Sequence, residues 1–149
     1  MAKIDQELRH EFPNNKVRLI ANLLFSTSWF KNKHQELLKP YQLSATQLNV
    51  LSILRGNGVW MTMGSVKERM VEKSPNVTRM MDKILKKGWV ERKRSEEDRR
   101  VVFVRISKDG VALLVEINEK LKAAKVEDML NLTDEEAGLI SELLDKMRS

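Results

Sequence analysis

Apolar positions recur through most of this chain at helical spacing, and a period of two takes over only once. Val17, Ile20, Leu24, Leu37 and Leu38 line one long helix over about 14–39, with Trp29 and Phe30 midway. Pro40 should end it, because proline has no N–H to continue the ladder. The stretch "LSATQLNVLSILRGNG" predicts a second helix. Ser44 and Gln47 form a capping box, Leu48, Leu51 and Leu54 supply the apolar face, and Gly56 and Gly58 the stop. "MTMGSVKERMVEK" predicts a short third helix with Val66 and Met70 inward. Its start lies at Thr62 or at Ser65, since "SVKE" is itself a capping box. "SPNVTRMMDKILKKG" predicts a fourth, capped by Ser74, with Pro75 at the first helical position, where its missing N–H costs nothing. Val77, Met80 or Met81, Ile84 and Leu85 form its buried stripe, and Gly88 ends it after Lys86 and Lys87.

The period then changes. "WVERKR" and "VVFVRIS" read as two strands, with Val102, Val104 and Ile106 alternating with Val101, Phe103 and Arg105. The intervening "SEEDR" is the turn. After Ser107 the helical period returns: Leu113, Leu114, Ile117 and Leu121 mark a fifth helix. Thr133 and Glu136 box the start of a sixth, lined by Ile140, Leu143, Leu144 and Met147. The fold class predicted is mainly α with a small β-hairpin: a winged helix-turn-helix flanked by N- and C-terminal helices.

Charge sharpens this layout. The chain of 149 residues carries a formal +6, unevenly spread. Residues 66–105 hold thirteen basic and seven acidic groups, whereas 127–149 hold two basic and seven acidic. A basic centre favours a polyanionic partner, against the plain alternative of an ordinary solvated surface. No apolar run approaches the ~18 residues of a membrane span, and "MAKIDQELRHEF" lacks the apolar segment of a secretory signal, so the cytoplasm is the expected compartment. There is no cysteine and only His10 and His34, so neither a thiol switch nor a metal centre is expected.

Candidate chemistry gathers on the fourth helix and the hairpin. A recognition helix places its first turn in the major groove. Here that turn is "SPNVTR", with Asn76, Thr78 and Arg79 off the apolar stripe. Asparagine pairs in bidentate fashion with adenine, and arginine with guanine. Ser74 can cap the helix and meet a phosphate at the same anion-friendly terminus. The plain alternative is a surface helix on which Ser74 is only a cap. At the hairpin tip Arg99 and Arg100 repel one another, which a narrow, electronegative minor groove would reward. Asp98 can hold a guanidinium by charge-assisted hydrogen bonds and shape the turn.

These residues carry a resemblance. "LSATQLNVLSILRG" and "NVTRMMDKILKKGWVERKRSEEDRRVVFVRISKDG", with the flanking helices, resemble the MarR (multiple antibiotic resistance regulator) family of transcription factors. The family's wing signature is Asp-x-Arg, a hydrophobic strand, then Ser/Thr-x-x-Gly; here those are Asp98 and Arg100, residues 101–106, and Ser107 and Gly110. The resemblance implies one domain over 1–149, with dimerisation helices at about 1–40 and 108–149 around a winged helix-turn-helix at about 41–107. It implies a homodimer bound to a pseudo-palindromic operator in double-stranded DNA, usually as a ligand-responsive repressor. Ser74, Asn76, Thr78, Arg79 and the wing's Arg100 correspond to DNA-contacting positions. Arg99 is a neighbouring contact, and Lys67 and Lys83 are candidate phosphate contacts. A small aromatic effector would lie between dimerisation and DNA-binding regions; Trp29, Phe30 and His34 are the candidates, although a core or a dimer interface is the reading these three residues favour. No cofactor is implied.

Two other function classes carry different expectations. An enzyme is not expected, since no H-E-x-x-H, P-loop, G-x-S-x-G or glycine-rich nucleotide fingerprint occurs. A winged helix that binds another protein without DNA is the alternative; it would predict a neutral or apolar wing. Dimerisation also follows from burial, because long helices with leucine stripes cover poorly against so small a domain. The alternative is that they fold back on their own chain.

Overall fold

The computed structural model describes residues 3–71, 76–124 and 130–149. A short helix, α1 (Ile4–Glu7), precedes the long α2 (Asn15–Leu38). The Asn14 side chain accepts from the Val17 N–H at 3.0 Å, which sets the start of α2. Its end falls before Pro40, where the chain tightens into a 3-10 turn, Lys39–Tyr41, and Gln42 turns left-handed at φ 50°. Helix α3 (Ala45–Asn57) opens on the Ser44–Gln47 capping box, with Ser44 N–H to Gln47 Oε1 at 2.9 Å and Gln47 N–H to Ser44 Oγ at 3.1 Å. Leu48, Leu51 and Leu54 are buried as expected, and Val50 with them.

Helix α4 (Met63–Arg69) starts at Thr62, whose hydroxyl accepts from the Ser65 N–H at 3.1 Å; this decides between the two candidate starts. Helix α5 (Val77–Lys86) buries Val77, Met81 and Ile84, so Met81 lies in the stripe and Met80 at its edge. The residue flanking its first turn is Asn76, two positions later than expected, and its side chain makes no cap bond to the helix. The expected cap, Ser74, and Pro75 lie outside the described residues.

The expected hairpin is in fact a three-stranded antiparallel sheet in the order β1-β3-β2. Strands β2 (Val90–Arg94) and β3 (Val102–Ile106) pair Val90 with Ile106 and Arg94 with Val102. Strand β1 (Met61–Thr62) pairs Met61 with Val104 and Thr62 with Phe103. Two residues are too few to show a period, and their partners lie some forty positions on, so nothing local announces this strand. Met61, Val90 and Val104 point into one core with the buried residues of α3, α4 and α5, and with Leu114 and Ile117 of α6 (Lys108–Ala123).

The hairpin joins α6 through a tight corner. Gly88, at φ 76°, ends α5 in the left-handed conformation that glycine adopts without steric penalty. The Ser107 N–H donates to the Trp89 carbonyl at 3.0 Å and the Ser107 hydroxyl donates to the Gly88 carbonyl at 2.6 Å. The same hydroxyl accepts from the Gly110 N–H at 3.0 Å, capping α6. Gly110 permits this approach, because a Cβ there would stand 2.2 Å from the Trp89 carbonyl oxygen.

The terminal helices are different. Helix α7 (Asp134–Arg148) has the Thr133–Glu136 capping box but buries no residue, and α2 buries only Leu38. Ile20 and Leu24 of α2, and Leu139, Ile140, Leu143 and Met147 of α7, are exposed in the single chain. These apolar stripes do not fold back on the winged helix. Among the described residues no helix is long and apolar enough to cross a membrane.

The Gly110 corner makes a prediction. Alanine normally favours a helix over glycine by about 1 kcal/mol. Here the methyl must displace main chain, so Gly110→Ala should destabilise the fold by about 1–3 kcal/mol in chemical denaturation. A variant as stable as the parent would show that the corner has slack.

Candidate nucleic-acid interface

Helix α5 presents two faces because its apolar residues recur at three and four positions. With Val77, Met81 and Ile84 turned inward, Asn76, Thr78, Arg79 and Lys83 are left exposed. Asn76, Arg79 and Lys83, together with Lys86, Lys87, Ser44 and Thr46, line a cleft of about 850 Å³ between α5 and the start of α3. Lys87 has a structural task there: its ammonium donates to the Gln42 carbonyl at 2.7 Å and lies 4.6 Å from the Trp89 ring centre. It ties the end of α5 to the left-handed corner before α3.

Thr78 of α5 and Arg100 of the wing line one further cleft, of about 490 Å³, with Asp82 and Arg92. Residues of α5 and of the wing, far apart in the sequence, therefore line one cleft. The two elements are also linked directly, Arg92 Nη1 of β2 lying 3.2 Å from Asp82 Oδ1 of α5.

The wing turn, 95–101, is ordered by short local bonds. Ser95 N–H donates to the Val101 carbonyl at 2.9 Å and Val101 N–H to the Asp98 carbonyl at 2.8 Å. The Ser95 hydroxyl accepts from the N–H groups of Glu97 and Asp98. Asp98 then grips Arg100 three times: Oδ1 accepts the backbone N–H at 3.0 Å and Nε at 3.1 Å, and Oδ2 accepts Nη2 at 3.2 Å. The Arg100 side chain is nevertheless 91% exposed, so its free edge faces outward. The Arg100 guanidinium, and after it the Arg100 backbone N–H, hold the Asp98 carboxyl below its ordinary value of 3.8.

The remaining sequence candidates fall as follows. Arg99 is exposed on the wing, and Lys67 is exposed on α4 and lines neither cleft. Among the described residues, Arg79, Lys83 and Arg99 take part in no ion pair, while Asp82, Glu91 and Asp98 are each matched to an arginine. Trp29, Phe30 and His34 lie on α2 and line neither cleft, although the neighbouring Gln35 lines the first. Phe30 and His34 stack with ring centres 5.9 Å apart, and Trp29 is half-buried. No group of three or more His, Cys, Asp or Glu among the described residues is placed to hold a metal ion. Sequence reasoning missed Arg92 and Lys87, because their partners are ten and forty-five positions away. A lone cation in a basic stretch carries no sign of such a bond.

Comparison with known proteins gives a consistent result. The model of the MarR family matches residues 43–102. The HTH-type transcriptional regulator YwoH of Bacillus subtilis is 31% identical over 143 residues, covering 96% of this chain and 95% of that protein. The multiple antibiotic resistance protein MarR of Salmonella typhimurium is 28% identical over 135 residues, 89% of this chain and 93% of that protein. Among solved structures, a mutant MarR from E. coli complexed with operator DNA superposes with a TM-score of 0.76 at 26% identity, covering 92% of this chain and 99% of that one.

The Asp98–Arg100 contact is open to titration. A lowered carboxyl pKa means the contact contributes above the ordinary carboxylate range and is lost only as pH falls through the lowered value. Wing order should therefore be constant between pH 5 and pH 8 (roughly the physiological span). By NMR, Asp98 should titrate below 3.8 and return towards it in Arg100→Ala. An Asp98 midpoint unmoved by that substitution would contradict the contact.

Proposed function

This chain belongs to the MarR family of transcription regulators, and from that premise we propose that it reads double-stranded DNA in a sequence-specific way. The observation that carries the proposal is the shared cleft of Thr78 and Arg100, which puts the first turn of α5 and the wing tip on one side of the domain. In this reading α5 enters the major groove. Asn76 and Arg79 offer bidentate contacts to base edges and Thr78 a smaller one. Ser74, outside the described residues, and Lys67 and Lys83 meet phosphates, which position the domain without reading sequence. Arg100, pre-oriented by Asp98, enters the adjacent minor groove, with Arg99 beside it. Pre-orientation matters because a free arginine loses rotamer entropy on ordering.

The same proposal assigns 41–107 to DNA and about 1–40 and 108–149 to dimerisation. The support is the exposed apolar stripes of α2 and α7, which a second copy would cover. A two-fold dimer spaces its recognition helices about one DNA turn, ~34–36 Å, and so selects a pseudo-palindromic operator. Bound there, the protein acts as a repressor in the cytoplasm. Release follows binding of a small aromatic molecule near Trp29, Phe30 and His34, whose half-covered rings offer stacking surface.

Selecting duplexes from a random pool tests this reading. Log affinity should fall linearly with log salt, with a slope of about −0.9 per phosphate neutralised. Arg100→Ala should weaken the selected duplex by about 1–3 kcal/mol, and Arg79→Ala should change the preferred base at one position per half-site. Uniform weakening by Arg79→Ala would make it a phosphate contact; no salt-dependent duplex binding by the parent would leave the protein-binding winged helix in front. The assembly is checked by sedimentation: the 17.3 kDa chain should run at twice its mass, and Leu143→Glu should shift it to one. A monomeric parent would overturn the dimer.

A further inference from the structure

The outer face of the wing sheet carries a cluster that the DNA reading does not use. Strand alternation turns Val90, Val102, Val104 and Ile106 towards the core, leaving Lys93, Phe103 and Arg105 on the opposite face. Onto this face comes Trp60, the residue just before β1. The β1–β3 register, continued by one residue, sets Trp60 opposite Arg105. The Trp60 ring centre lies 4.6 Å from Arg105 Cζ on β3 and 4.6 Å from Lys93 Nζ on β2. Arg105 Nε is itself held by Glu91 Oε2 at 2.7 Å, and Lys93 also lies 5.9 Å from the Phe103 ring.

One aromatic ring therefore laces all three strands together. Strand β1 needs such a tie, since its own pairing spans only two residues. The tie also sits next to the inner contact: Arg92 reaches Asp82 below the sheet while Lys93 meets Trp60 above it. The hairpin is thus gripped on both faces just before 95–101 leaves for the tip that carries Arg100.

We propose that Trp60 is a positioning residue for the wing: its ring, held between Lys93 and Arg105, fixes the hairpin to the helix-turn-helix and so fixes where Arg100 meets the minor groove. The proposal rests on the DNA reading for its consequence, not for the grip itself. Trp60 touches no DNA; it acts through Arg100.

The test is a double-mutant cycle on the duplex selected by the full-length parent protein. Trp60→Leu keeps an apolar side chain but removes the ring that attracts the cations. It should weaken binding roughly 10-fold, as expected for two cation–π contacts at an exposed site. In an Arg100→Ala background the same change should cost less than about 2-fold, because coupled residues are non-additive. Trp60→Phe should restore most of the affinity. Full affinity in Trp60→Leu, or an equal loss with and without Arg100, would overturn the proposal. If the parent binds no duplex, the DNA reading fails by itself, and the grip is then read from amide exchange. Trp60→Leu should speed exchange of the hairpin amides next to 95–101, and unchanged exchange would overturn the grip.

Discussion

The structure depends on a corner with no room for a side chain. Where α6 begins, Gly110 lies so close to the Trp89 carbonyl that a single methyl group would overlap it. Ser107 secures the corner by bonding Gly88 and Gly110 with one hydroxyl and Trp89 with its own N–H. The end of α5, the start of β2, the end of β3 and the start of α6 all meet there. The corner ties α5, the hairpin and α6 to one another.

Above the corner, geometry rather than net charge explains the acidic residues in a basic wing. Exposed ion pairs contribute little to stability, so the matching of Asp82 to Arg92, Glu91 to Arg105 and Asp98 to Arg100 is read as placement. Two of these pairs hold the hairpin, one on each face of its sheet, and the third aims the tip. Arg79, Lys83 and Arg99, proposed to meet DNA, are among the described basic side chains that take part in no ion pair, whereas Arg100 is held by Asp98. Acidic residues beside the arginines are thus compatible with a polyanionic partner.

What was legible in the sequence follows physical range. The caps at Ser44 and Thr133 were readable because donor and acceptor lie three residues apart. The long α2 and the buried stripe of α5 followed from periodicity, and the stop of α2 from the missing N–H of Pro40. Strand β1 was not readable, since two residues show no alternation and their partners come from β3. The same holds for Asp82–Arg92 and for Trp60, whose roles exist only after the sheet has formed. Within the candidate site the exposed residues of α5 were nameable because the buried stripe leaves a determined remainder. The positions that hold the wing were not, because they depend on which strand lies beside which. Exposed leucines on α2 and α7 were legible as apolar stripes, but a stripe alone does not state whether it meets its own chain or another.

The central claim is that helix α5 and the wing engage one duplex together, in two symmetric copies. Dimethyl-sulfate footprinting of the parent protein on its selected duplex, which reports guanine N7 in the major groove and adenine N3 in the minor groove, tests this most directly. The account predicts two equivalent protected half-sites about one helical turn apart, each with minor-groove protection beside the major-groove contact. A single protected half-site, or protection confined to the major groove, would contradict it.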